Sequence, residues 1–137
     1  MPHPLYRGSA NLGKRILIVD DDRTMTSLLK TLLELDDFIV TTVARGGDAI
    51  NKANDFQPDA FIIDYHLHDM DGVELVRELR QAPSFAQKLI IVASGMDKEV
   101  ESFEAGANRF LLKPYDPDTL SKLLLSLIHI SEPTRLR

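Results

Sequence analysis

The sequence predicts an α/β domain in which a parallel sheet carries helices on both faces, and three observations predict it. Short apolar runs alternate with helical apolar patterns five times along the 137 residues. The central runs, ILIV, AFII and LIIV, are apolar throughout, as strands covered on both sides should be. The polar exceptions fall just past the ends of those runs. Strict alternation with right-handed crossovers leaves only a few doubly wound topologies.

Arg15–Val19 (RILIV) reads as the first strand, closed by Asp20, Asp21 and Asp22. Met25, Leu28, Leu29, Leu32 and Leu33 then recur at helical spacing, with Asp22 or a neighbour placed to cap the helix start. Phe38–Val43 (FIVTTV) is β-branched and predicts a second strand, at an edge. Gly46-Gly47 opens a second helix with Ala49, Ile50, Ala53 and Phe56 as its apolar positions, and Pro58 ends it. Ala60–Ile63 is the third strand, closed by Asp64; the loop YHLHDMDG leads to a third helix carrying Val73, Val76 and Leu79. Leu89–Val92 is the fourth strand, followed by Ser94-Gly95 and by a fourth helix around Val100 and Phe103 that stops near Gly106. Arg109–Leu112 is the fifth strand, with Lys113-Pro114 directly behind it. From Pro117 a fifth helix presents Leu120, Leu123 and Leu124 on one face.

Apolar content of 44% with 27% charged residues is ordinary for a globular domain. A net charge of −5 with no basic face argues against nucleic acid as a direct partner. The chain has no cysteine, which excludes disulfides and thiolate metal sites and fits a cytoplasmic location. No run approaches the ~18 apolar residues of a membrane span. Met1–Gly13 is polar and proline-bearing, without the apolar core of a signal peptide, and reads as a flexible leader.

The informative residues are the exceptions. Asp20 and Asp21 end the first strand, Asp64 the third, Ser94 the fourth and Lys113 the fifth. In open α/β sheets, ligands bind at that carboxyl edge, where the strand order reverses. If the first and third strands are neighbours, three carboxylates converge and repel one another unless a cation compensates. Magnesium suits an oxygen site that keeps several waters. Each residue alone has a blander reading: the three acids as a helix N-terminus, Asp64 and Ser94-Gly95 as turn residues, Lys113-Pro114 as a strand end. Acids after strands one and three, a hydroxyl after four and a lysine after five are much harder to obtain by accident.

ILIVDD, FIIDYHLHDMDG, LIIVASG and AGANRFLLKP, in that order, resemble the four signature segments of the receiver domain of bacterial response regulators. The resemblance covers residues ~14–124. It implies a flavodoxin-like five-stranded sheet in order 2-1-3-4-5. It also implies that Asp64 accepts a phosphoryl group, Asp21 binds Mg2+ directly and Asp20 largely through water, with the His66 carbonyl as a further ligand. Ser94 would bind a phosphoryl oxygen, Lys113 would pair with the phosphoryl group before a cis Pro114, and Phe110 would be the aromatic that rotates inward on activation. Gly72 matches the glycine of the loop after the acceptor. The implied partners are a sensor histidine kinase or histidine phosphotransfer protein and an unidentified output domain or protein, with homodimerisation on phosphorylation a further expectation. Neither nucleic acid nor membrane is expected to touch this domain. Such a chain is a regulatory phosphoacceptor that catalyses only its own phosphorylation and dephosphorylation.

There are departures. The family often has proline where this chain has His68, and the interval from Ser94 to Lys113 is shorter than the commonest one, which removes residues near the start of the fourth helix. His66 and His68 could be read as a zinc pair, but no third nitrogen or sulfur ligand is evident. Phosphatases with an aspartyl nucleophile usually carry a second acid two residues on, where this chain has His66. A pseudo-receiver would lack an acid or the lysine, and none is lacking. A phosphorelay shuttle uses the same residues and remains the alternative. Finally, Leu125–Arg135 (LSLIHISEPTR) matches, residue for residue, the in-frame translation of a transposase adapter used in sequencing libraries. Residues 125–137 are therefore expected to be foreign, the native fifth helix to end at about Leu124, and any output domain to be lost. Pro133 cannot sit within a helix, so Ser131–Arg137 is expected to be disordered.

Overall fold

The computed structural model describes residues 12–131, with side chains to 128. Five parallel strands, β1 (Arg15–Val19), β2 (Ile39–Val43), β3 (Ala60–Asp64), β4 (Leu89–Ser94) and β5 (Arg109–Leu112), form one sheet in the order β2-β1-β3-β4-β5. Five helices alternate with them: α1 (Arg23–Leu35), α2 (Ala49–Phe56), α3 (Gly72–Gln81), α4 (Glu99–Ala105) and α5 (Pro117–Ser131). The predicted class and strand order are those observed. Most of the leader, and residues 132–137 of the segment expected to be disordered, lie outside the described residues.

The continuous apolar runs become the central strands for the predicted reason. Ile16–Val19, Ala60–Ile63 and all of β4 are buried, because helices cover both faces. One core, built on Leu17, Phe61, Ile63, Ile90 and Val92, lies under α2 and α3. The other, built on Ile16, Ile18, Ile62 and Ile91, lies under α1 and α5. Each such buried aliphatic side chain contributes about 1.5–3 kcal/mol. The edge strands β2 and β5 are only partly covered, and Leu112 stays 54% exposed.

Helix ends follow local chemistry. Asp22 caps α1 as predicted, its Oδ1 accepting the Met25 N–H at 3.1 Å. Gln57, in the left-handed region (φ 55°), closes α2 ahead of Pro58. Gly106, at φ 116°, closes α4. At the amino edge of the sheet the Arg80 guanidinium donates to the carbonyls of Gly106, Phe85, Ala86 and Lys88 and to Asn108 Oδ1, tying α3, α4, β4 and β5 together.

Three expectations need correction. On α1, Leu29 and Leu33 are buried, but Met25 and Leu28 are about half exposed, because α5 covers only one side of the helix. On α4, Val100 and Phe103 face outward, while Ser102 and Ala105 face the sheet; a seven-residue helix has too few turns to fix its inner face by periodicity. Ser131 closes α5 rather than opening a disordered tail. Leu127 and Ile128 continue the buried face of Leu120 and Leu124, and packing follows apolar spacing whatever the origin of the segment.

Candidate functional site

Register brings the polar exceptions together. Val19 pairs with Ile63 between β1 and β3, so Asp20 and Asp64 leave the sheet at the same level. Asp64 pairs with Ala93 of β4, and Ser94 with Leu112 of β5, so Ser94 and Lys113 follow at the same edge. One carboxylate oxygen each from Asp20, Asp21 and Asp64 lies within 4.8 Å of the others. Lys113 Nζ reaches Asp20 Oδ2 at 3.2 Å and Asp64 Oδ1 at 3.4 Å, from a loop turned by the cis peptide bond to Pro114. Ser94 is fully buried, and its Oγ accepts the Met96 N–H at 3.0 Å.

The charges do not balance, since three carboxylates face one ammonium. Burial raises the Asp64 carboxyl above its ordinary range and Asp20 raises it further, against the lowering effects of Lys113 and the His66 N–H. Burial opposes the charge on Lys113, but Asp20 and Asp64 outweigh it and raise its affinity for the proton. The donor set, three carboxylate oxygens meeting at a partly exposed edge with surplus negative charge, fits a hard divalent cation such as Mg2+.

The loop between β3 and α3 is shaped for this edge. The Gly72 N–H donates to the Tyr65 carbonyl at 2.6 Å, and a Cβ there would run into the Asp64 carbonyl oxygen, so only glycine fits. Asp69 accepts the N–H groups of Gly46 at 2.9 Å and Gly47 at 2.8 Å. The Gly47 N–H above all holds the Asp69 carboxyl below its ordinary range; burial opposes it, and the Gly46 N–H adds to the lowering. Nothing in the loop's own sequence singled out Asp69; the two successive glycines, each free of a side chain, were the signal available. The His68 N–H donates to Asp21 Oδ2 at 3.1 Å.

Not every candidate joins the cluster. The His66 ring lies tilted against Tyr65, 4.8 Å between centroids, while its N–H points at Asp64 Oδ1 at 3.4 Å. Phe110 is half-buried on β5 and packed against the core under α2 and α3. Asp22 serves the helix start alone, its own N–H resting on Asp20 Oδ1 at 3.0 Å.

Residues 16–125 match the family profile described as "Response regulator receiver domain". The chain is 32% identical over 117 residues to the chemotaxis protein CheY of Thermotoga maritima, covering 82% of this chain and 96% of that protein. It is also 32% identical over 127 residues to the alkaline phosphatase synthesis transcriptional regulatory protein PhoP of Bacillus subtilis, covering 88% of this chain and 51% of PhoP. It thus spans about half the length of the transcriptional regulators it matches. Among solved structures, a CheY-like response regulator receiver domain protein from Methanospirillum hungatei superposes with a TM-score of 0.81 at 28% identity, covering 87% of this chain and 96% of that one.

Proposed function

The chain belongs to the response regulator receiver domain family of two-component signalling, and on that premise we propose that Asp64 accepts a phosphoryl group with the help of bound Mg2+. The observation that carries this reading is the convergence of Asp20, Asp21 and Asp64 within 4.8 Å, with Lys113 bridging two of them. An Asp64 oxygen attacks phosphorus in line, the bond to the donor breaks, and the donor leaves with the electron pair. Such transfer needs positioning and charge neutralisation more than covalent help. Asp21, Asp64 and the His66 carbonyl, with Asp20 largely through water, would hold the magnesium, which would neutralise charge on the phosphoryl oxygens. Lys113 already sits 3.4 Å from Asp64 Oδ1 and passes from that carboxylate to the incoming phosphoryl group. Ser94 Oγ accepts from Met96, which leaves its own O–H to donate to a phosphoryl oxygen.

The product carries nearly two negative charges beside Ser94 and Lys113. Drawing the Ser94 hydroxyl inward weakens its hold on the Met96 N–H and opens room for Phe110. The signal then reaches the exposed apolar side chains Met96 in the loop after β4, Val100 and Phe103 on α4, and Leu112 on β5. The phosphodonor is a sensor histidine kinase or a histidine phosphotransfer protein, and the output partner is a separate domain or protein. The domain is regulatory, with no reaction beyond its own phosphorylation and dephosphorylation. Among the described residues, no helix is long and apolar enough to cross a membrane. Acetyl phosphate with Mg2+ should add one phosphate by intact mass, and Asp64→Asn should abolish it. Equal labelling in EDTA would overturn the metal-assisted reading.

A further inference from the structure

We propose that His68 is a nitrogen ligand of this site, so that Mn2+ and Co2+ compete there with Mg2+ more strongly than three carboxylates alone would allow. The inference rests on the cation reading above and adds a donor to it. His68 touches Asp21 twice: its N–H donates to Oδ2 at 3.1 Å, and its imidazole Nε2 lies 3.4 Å from the same oxygen. The first contact exists only because this position carries an N–H, which proline lacks. It holds the residue beside one of the three acids, so the imidazole stands at the mouth of the site.

The spacing suits shared ligation. Adjacent corners of an octahedron with bonds of ~2.1 Å lie about 3.0 Å apart, close to the observed 3.4 Å. The imidazole stands outside the cluster formed by the three acids, but it is 87% exposed, so the rotation that brings Nε2 to the ion displaces no packed neighbour. The chain has no cysteine, and the His66 ring is occupied against Tyr65, so His68 is the soft donor at hand. Carboxylate and water suit Mg2+, whereas an imidazole favours the later first-row ions. An added nitrogen donor therefore raises affinity for Co2+ while leaving that for Mg2+ almost unchanged.

Calorimetric titrations at about pH 8, where free imidazole is neutral, compare the full chain with its His68→Ala and His66→Ala variants. Only Co2+ that excess Mg2+ displaces is counted. His68→Ala keeps the backbone N–H and removes the ring alone. It should weaken Co2+ binding about tenfold and move Mg2+ binding less than twofold. Pulsed electron paramagnetic resonance of Mn2+ at the site should show coupling to an imidazole nitrogen, lost in His68→Ala and retained in His66→Ala. Unchanged Co2+ affinity in His68→Ala, or nitrogen coupling that survives it, overturns the proposal. Failure of the unaltered chain to bind Mg2+ would instead overturn the cation reading beneath it.

Discussion

The two edges of the sheet hold polar clusters of opposite kinds. At the carboxyl edge, three carboxylates share one ammonium. At the amino edge, one guanidinium, Arg80, meets four carbonyls and the Asn108 side-chain oxygen, at 2.7–3.4 Å. Asn108 Oδ1 in turn accepts the Ile90 N–H at 2.8 Å. Burial lowers the proton affinity of Arg80, but each of its three nitrogens donates to a neutral acceptor of the fold. The acid cluster has more acceptors than donors and more negative charge than positive. A satisfied cluster holds elements together, whereas an unbalanced one costs stability until something binds.

The largest expected effect breaks the amino edge. Arg80→Ala strands several partly buried carbonyls at once and should cost about 3 kcal/mol in urea denaturation. Arg80→Lys should recover little, because one ammonium cannot span the fork's separate acceptors. A loss below 1 kcal/mol would show that water replaces the guanidinium and would erase the contrast.

The opposite sign is expected at the carboxyl edge. Asp64→Asn should raise the stability of the metal-free protein at pH 7, on the order of 1 kcal/mol, by removing one like charge from the cluster. The folded carboxyl titrates above its ordinary 3.8, so the fold binds the proton more tightly than the unfolded chain does. The ionised form therefore costs stability above that raised value, and the penalty vanishes as pH falls below 3.8. The gain from Asp64→Asn should shrink in step across that window, as thermal melts in EDTA would record. Saturating Mg2+ should stabilise the unaltered chain and reverse the ranking. If Asp64→Asn destabilises the metal-free protein, the acids are already compensated and the site is not poised for a cation.

The smallest effect separates loop from cluster. Asp69→Asn weakens the bonds to the Gly46 and Gly47 N–H groups at an exposed position, so a slight destabilisation is expected. Asp69 titrates below its ordinary 3.8, so its contribution is present above that value and lost as pH falls through the lowered one. A pH dependence of the opposite sense would place Asp69 with the crowded acids instead.

The pattern that was legible was one of period and position. RILIV, AFII and LIIV could be read as covered strands because no polar residue interrupts them, and Asp20, Asp21, Asp64, Ser94 and Lys113 stood out because they follow such runs. The face of α4 was not legible, since in so short a helix Val100 and Phe103 can point either way. Arg80 passed as one more charge on a helix. Its partners at Gly106 and Asn108 lie 26 and 28 residues away, and four of the five oxygens it meets are backbone carbonyls, which carry no residue signature.

Composition, apolar period and the residues at strand ends determined the class, the winding and the identity of the acids, because burial on both faces tolerates only apolar side chains and pushes polar ones to the ends. Only the tertiary structure decided the rest. It placed Lys113 between Asp20 and Asp64, tied Asp69 to the glycines of another loop, and seated the His68 N–H on Asp21. Those contacts join residues 22 to 93 positions apart, at distances set by register between strands rather than by neighbours along the chain.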